Sequence, residues 1–265
     1  MDLLHAVILA VVQGFTEFLP ISSSGHLVLL PGFLDWEDQG LAFDVAVHLG
    51  TLAAVVWYFR HELVTMTRAW LTSVRGGDGG QDARLAWAII WGTVPVVLAG
   101  AFLAGPAIDS LRAPLLVAAT TGGFGILLWL ADRRGAKTRD EYSLQWSDVM
   151  LIGLVQALAL IPGTSRSGIT MTAGLLLGLT REAAARFSFL LAIPVILAAA
   201  VYELWDLLSS PAPDDWLALG VGAAVSAVVA YVTIRWFLAF LGRMGMAPFA
   251  IYRLLLAGLI LVFAV

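Results

Sequence analysis

The sequence predicts an all-α polytopic membrane protein with six transmembrane helices and two re-entrant helix pairs in an inverted-topology repeat. Three observations lead there. The 265-residue chain is 60% hydrophobic and only 13% charged, where a soluble domain carries roughly 25% charge. Apolar runs of roughly 20 residues, enough to cross a bilayer as helices, recur along the whole length. Four further apolar segments are too short to cross comfortably, and they come as two pairs, each interrupted by proline and small polar residues.

Taken in chain order, the first short pair is about 3–19 and 22–34, broken between Pro20 and Ser24. A full span follows at about 41–59, then a loop over 60–84 containing the flexible stretch "RGGDGG", then spans at about 85–104 and 113–131. The second short pair is about 147–161 and 166–179, broken between Pro162 and Ser167. Spans at about 187–207, 216–238 and 247–265 complete the chain. A broken helix at membrane depth is tolerated only where protein buries it or where it lines a polar cavity, so both pairs read as re-entrant hairpins.

Basic residues set the orientation. The loop 60–84 carries Arg60, Arg68, Arg75 and Arg84, and the loop 132–146 carries Arg133, Arg134, Lys137 and Arg139. Two spans separate these loops, so they share a side, and the positive-inside rule makes it the cytoplasm. Arg181, Arg186, Arg235 and Arg243 fall on the same side. The opposite loops hold Asp35, Glu37, Asp38, Asp214 and Asp215, with Arg112 as their basic residue. This is consistent only if the first hairpin dips in from outside and the second from the cytoplasm.

The two hairpins resemble each other. "PISSSGHL" at 20–27 aligns with "PGTSRSGIT" at 162–170 once one residue is gapped, pairing Ser22–Gly25 with Ser165–Gly168. The spans that follow begin at Phe43 and Phe187 and reach tyrosines at Tyr58 and Tyr202. The chain therefore reads as one membrane domain, 1–265, with a first repeat over about 1–131 and a second over about 147–265. In such folds the site lies near the midplane, where half-helix N-termini meet.

The polar residues of the two breaks are the candidate site. Gln13 and Glu17 are four apart on one helix face. Ser22, Ser23 and Ser24 stand at the next helix N-terminus, where free N–H groups and the dipole favour an anion, and His26 follows one turn in. At the second break Ser165 and Ser167 again mark a helix start. Arg166 adds a fork-shaped donor suited to phosphate, and Thr170 lies one turn on. A diphosphate monoester carries about −3, against roughly +2 from two helix ends and Arg166. Glu17 worsens that balance unless it binds a divalent cation or takes up a proton during reaction. Either use is catalytic, and an ionisable residue at membrane depth is functional by default. Ser23 or Ser22 could attack with Glu17 or His26 as base; His26 could itself attack or activate water.

Other residues read as structural. Asp44 and His48, one turn apart at the outer end of a span, are expected to serve structure or an interface. Arg253, inside the last span, needs a partner. His5, His61 and the ten tryptophans suit the membrane interface, and nothing suggests a nucleic acid. Without cysteine there is no disulfide or thiolate chemistry. No cleavable signal peptide is evident, because no basic region precedes the first apolar stretch.

"QGFTE" (Gln13–Glu17), "PISSSGH" (Pro20–His26) and "PGTSRSGIT" (Pro162–Thr170) together resemble the undecaprenyl-diphosphate phosphatase family, the bacitracin-resistance type of integral membrane phosphatase. The resemblance covers essentially the whole chain. It implies hydrolysis of undecaprenyl diphosphate to the monophosphate and inorganic phosphate, which recycles the lipid carrier of cell-wall synthesis. It also implies a plasma-membrane protein whose site opens outward and uses Mg²⁺ or Ca²⁺. Carried over residue by residue, Glu17, Ser23, His26, Ser165, Arg166 and Thr170 form the expected site, with Glu17 the expected metal contact. Gln13 stands where many members have glutamate. The expected partners are the lipid diphosphate, the bilayer and a second copy in a homodimer. The other lipid phosphatases with Ser-Gly-His and Ser-Arg pieces do not match, since here these lie far apart and no His-x-x-x-Asp follows Arg166. The rival reading is a polyprenyl-phosphate transporter or flippase using the same inverted-repeat site; a plain scaffold leaves the charged cluster unexplained.

Overall fold

A computed structural model describes residues 2–34, 36–103, 113–208 and 215–264. The regular elements among the described residues are helices: α1 (Leu3–Thr16), α2 (Ser23–Leu34), α3 (Leu41–Tyr58), α4 (Arg60–Val74), α5 (Gly80–Leu103), α6 (Pro114–Arg134), α7 (Trp146–Gln156), α8 (Arg166–Leu176), α9 (Arg181–Leu208), α10 (Trp216–Met244) and α11 (Ala247–Ala264). Short 3₁₀ turns stand at Glu141–Ser143 and Ala157–Leu160. Five helices are long and apolar enough to cross a membrane: α3, α5, α6, α9 and α10. Leu3–Thr16, Trp146–Leu160 and Ala247–Val262 are shorter apolar helices. The chain is thus an integral membrane protein by length and composition, and α11, Ala247–Ala264, occupies the segment expected for the sixth span.

One expectation is overturned. The segment 60–84 is not simply a loop, because α4 occupies Arg60–Val74. Its charged residues hide an amphipathic helix whose Met66 is buried in the main core and which packs along α5. Several spans also outrun their apolar cores: α5 starts at Gly80, α9 at Arg181, and α10 runs to Met244. Charged and small residues continue a helix well once packing has nucleated it. The expected outer loops 105–112 and 208–215, with Arg112 and Asp214, fall largely outside the described residues, as does Asp35.

Both breaks are present. The chain leaves α1 at Thr16 and resumes helix at Ser23; it leaves α7 at Gln156, makes a 3₁₀ turn, and resumes at Arg166. The residue before each new helix has a left-handed backbone, φ 74° at Ser22 and φ 69° at Ser165, an uncommon state for serine. Apolar side chains fix the first turn: Phe18, Leu19 and Ile21 are buried in the main core. Phe18 meets Phe189 edge-on at 5.2 Å, and Phe189, Phe237 and Phe249 continue the aromatic chain at 5.8 and 5.3 Å.

The broken helices rest closely on long spans. A Cβ at Gly14 would come within 2.6 Å of the Ser226 carbonyl oxygen on α10, and one at Gly153 within 2.7 Å of the Gly92 carbonyl oxygen on α5. Glycine at these points lets the backbones touch. Away from the breaks, carboxylate–guanidinium contacts pin helix ends. Arg181 donates to both oxygens of Asp132 at 2.6 and 3.0 Å, and Asp132 also accepts the Met246 N–H at 3.1 Å. Arg186 bridges Glu141 and Glu62 at 2.7 Å each.

Candidate active site

Glu17 is the hub. It sits one residue past α1, 8% exposed. Its Oε2 accepts the Ser23 hydroxyl at 2.6 Å and the Gln13 side-chain amide at 3.2 Å. Its Oε1 accepts from Arg166 at 3.2 Å. Gln13 reaches it because four residues make one helical turn. Ser23 reaches it because the turn folds the start of α2 back over the end of α1. Arg166 reaches it across 149 residues of sequence, so the two broken helices meet at a carboxylate.

Arg166 is held by its neighbours. Its second terminal nitrogen donates to the Ser188 carbonyl on α9 at 3.1 Å, and the Ser188 and Thr170 hydroxyls meet at 2.7 Å. The Ser165 hydroxyl caps α8 by accepting the Gly168 N–H at 3.2 Å. The Ser167 hydroxyl donates to the Leu19 carbonyl at 2.8 Å, tying the second turn to the first. So of the expected second-turn residues, Arg166 faces the carboxylate, while Ser165, Ser167 and Thr170 hold the frame.

His26 is fully engaged. Its Nδ1 lies 2.7 Å from the Ser22 carbonyl oxygen, and its Nε2 lies 2.5 Å from the Tyr252 hydroxyl. A carbonyl can only accept, so Nδ1 carries the proton and Nε2 accepts from the tyrosine. The Ser22 hydroxyl is buried without a hydrogen-bond partner, and so is Gln13 Oε1. Buried polar atoms are normally paired, and this pair of orphans sits on either side of Glu17 in the chain. Ser24 lies in the first turn of α2; its side chain lies outside the described residues.

Sequence reasoning missed three neighbours of the site, and a fourth residue, Arg253, was expected to need a partner. His48 Nε2 stands 3.8 Å from Glu17 Oε2, a contact beyond the structural or interface place expected for it. Ser188 and Tyr252 position Arg166 and His26. Arg253 has the partner its burial demands: fully buried, it donates to the Pro20 carbonyl of the first turn at 3.3 Å, and to Gly163 and Thr164 of the second at 2.9 Å each. It also reaches the Thr121 carbonyl on α6 at 2.9 Å. Gln156 stays outside the site and donates to the Gly92 carbonyl at 3.3 Å.

The motifs at the two turns lie within a wider match. Residues 6–259 match the family described as bacitracin resistance protein BacA. The chain belongs to this family. It is 57% identical over 265 residues to undecaprenyl-diphosphatase 2 of Stutzerimonas stutzeri (strain A1501), covering 99% of this chain and 98% of the relative. It is 58% identical over 260 residues to an undecaprenyl-diphosphatase of Nitrosococcus oceani, covering 98% of each. A third relative, the undecaprenyl-diphosphatase of Thioalkalivibrio sulfidiphilus, is 54% identical over 262 residues and 98% of each chain. The BacA-family match begins before Gln13 and ends after Arg253, so it spans every side chain described above.

A divalent cation can be weighed against these residues. Among the described residues no group of three or more His, Asp or Glu side chains could hold a metal ion, so there is no cage made by protein alone. The oxygens of Glu17, Gln13 and Ser23 are nevertheless the hard donors that Mg²⁺ and Ca²⁺ prefer. Mg²⁺ sites commonly use one or two carboxylates and let substrate phosphates supply the rest. The residues fit a cation that arrives with a diphosphate.

Proposed function

We propose that the chain hydrolyses undecaprenyl diphosphate to undecaprenyl phosphate and inorganic phosphate. One observation carries this: a buried carboxylate accepts the hydroxyl of Ser23 at 2.6 Å while Arg166 stands on its other oxygen at 3.2 Å. A base, a hydroxyl nucleophile and a phosphate-binding cation thus converge at the start of two helices. The undecaprenyl-diphosphatase names of the relatives fix the substrate class. They also favour hydrolysis over the flippase alternative.

Arg166 has five N–H donors and shows two of them engaged, leaving others for phosphate oxygens. The start of α2 adds backbone N–H groups and the dipole, and the unpartnered Ser22 hydroxyl and Gln13 carbonyl are free to meet the ligand. Ser23 Oγ attacks the terminal phosphorus as its proton passes to Glu17 Oε2. The bond from phosphorus to the bridging oxygen breaks, and undecaprenyl phosphate leaves with the electron pair. Water then attacks the phosphoserine, keeping one proton on the departing phosphate and giving the other to His26, while Glu17 returns to Ser23 the proton it took. Glu17 is the base for the first step because it already contacts Ser23. His26, whose Nε2 accepts from Tyr252, is placed to serve the water step once that tyrosine turns away. A divalent cation, Mg²⁺ or Ca²⁺, would be held by the oxygens of Glu17 and Gln13 and would offset charge on the diphosphate.

The proposed topology is six spans with two re-entrant pairs in inverted repeat. Matching left-handed serines at the two breaks and matching glycine contacts to α10 and α5 support it. The arginine-rich segments around α4 and the end of α6 support an orientation with those ends on the cytoplasmic side of the inner membrane and the site opening outward.

Phosphate release from undecaprenyl diphosphate by purified protein in detergent tests the activity, with Mg²⁺, with Ca²⁺ and with a chelator. Release that needs a divalent cation is expected. No release from folded protein would leave transport, measured next in liposomes. A rapid quench with terminally labelled substrate is expected to place phosphate on Ser23; label on His26 would overturn the serine route.

A further inference from the structure

α4 turns a mixed face outward. Val64, Leu71 and Val74 are exposed large apolar residues, and Arg68 and Arg75 are exposed beside them. Spacings of three and four put Arg60, Val64, Arg68, Leu71 and Arg75 on one side of the helix. Leu63 and Met66, on the other side, pack into the main core. In water alone an apolar stripe on the outer side is a liability, and in hydrocarbon arginines on that side are costly. Headgroup level suits both, because an arginine stem rests on apolar surface while its guanidinium reaches the phosphates.

Two neighbouring contacts place α4 at that level. Only Phe59 separates it from the end of the α3 span. Across that junction Arg60 lies over the Trp57 ring, 4.8 Å from its centroid, and donates to the Trp57 carbonyl at 2.9 Å. At the end of the α6 span Arg133 lies over Trp129 in the same way, at 5.1 Å. Tryptophans at span ends mark the boundary between hydrocarbon and water. The charge on the face is unopposed. Among the described residues Arg68 and Arg75 have no carboxylate partner. Glu62, the one acid of α4, is taken by Arg186 at 2.7 Å. A second copy docked here about a twofold axis would set arginine against arginine, so the complementary occupant is an anion that brings apolar chains with it.

We propose that the outer face of α4 binds anionic phospholipids, with Arg60, Arg68 and Arg75 on the headgroup phosphates and Val64 and Leu71 against the upper acyl chains. In the orientation proposed above this is the cytoplasmic leaflet. A zwitterionic headgroup carries its own ammonium beside the phosphate, so the face selects by net charge. Each arginine at such a surface adds about fivefold in affinity, and three predict a preference on the order of 10²-fold. The surface shares no residue with the site around Glu17 and Arg166, and the inference stands whether or not the chain hydrolyses a diphosphate.

The test titrates delipidated full-length protein in detergent with phosphatidylglycerol or with phosphatidylcholine of the same chains, and counts bound lipid by native mass spectrometry. Wild type is expected to prefer phosphatidylglycerol. The triple variant Arg60→Gln, Arg68→Gln, Arg75→Gln is expected to bind the two lipids alike with an unchanged unfolding temperature. The double variant Arg68→Gln, Arg75→Gln leaves the α3–α4 junction intact and is expected to lose most of the preference. A control, Arg134→Gln, Arg235→Gln, Arg243→Gln, removes the same charge outside α4 and is expected to keep it. Glycerol 1-phosphate, a headgroup without chains, is expected not to compete at equal concentration. A wild type with no preference would overturn the proposal, as would a control that loses as much as the α4 variant. Competition by glycerol 1-phosphate would give the face to free phosphate instead. A dimer lost in the α4 variant while the lipid preference stays would give it to a second copy.

Discussion

The two broken turns share a backbone and differ in chemistry. In each, a serine at φ near 70° precedes a new helix, and a fully buried glutamine, Gln13 or Gln156, stands nine residues ahead of it. The position that holds Ser23 in the first turn holds Arg166 in the second, and where the first has Glu17 and His26 the second has Leu160 and Ile169. In the proposed mechanism the first turn therefore supplies base and nucleophile, and the second supplies cation and frame. In the proposed inverted repeat, two similar turns bring two helix starts to one carboxylate. On that reading a few differing side chains divide the work between the turns.

The largest effect should follow from breaking the first turn. Glu17→Gln keeps the size of the side chain but removes the base, and phosphate release should fall on the order of 10³-fold. Breaking the second should cost less. Arg166→Lys keeps a charge and loses the fork, and kcat/KM should drop about 10²-fold. Arg253→Met removes the donor shared by Pro20, Gly163 and Thr164, stranding buried carbonyls at about 1–3 kcal/mol each before relaxation. The apparent Tm in detergent should fall by several degrees, a loss that either turn alone would not give.

The smallest effect sharpens the comparison most. Ser165 caps α8, whereas the Ser22 hydroxyl has no partner. Glycine relieves the left-handed backbone at both positions. Ser22→Gly should thus hold or raise thermal stability by up to about 1 kcal/mol while raising KM. Ser165→Gly should gain no stability, because it gives up the cap. Thermal unfolding of the two variants side by side, with KM for the lipid, checks both.

Much of this was legible in the sequence. Long apolar runs mark α3, α6 and α10 because a bilayer leaves few alternatives, and Pro20 and Pro162 mark the breaks because proline cannot continue a helix. Glu17, Ser23 and Arg166 were legible as charge and hydroxyl stranded in oil. The missed parts share a cause. α4 carries Arg60, His61, Glu62 and Arg68, so its composition reads as a loop although its apolar stripe finds the core. His48, Ser188 and Tyr252 are single polar residues on three different helices, and only packing brings them to the turns. For His48 a signal did exist: the membrane-depth rule that singled out Glu17 applies equally to a histidine in α3.

The most direct test of a single divided site is a double-mutant cycle on phosphate release from undecaprenyl diphosphate, using wild type, Glu17→Gln, Arg166→Ala and the double variant. Residues acting as one unit are non-additive. The double variant is expected to release phosphate about as slowly as the worse single variant. A double variant whose loss is the product of the two single losses would place Glu17 and Arg166 in independent roles and contradict the account.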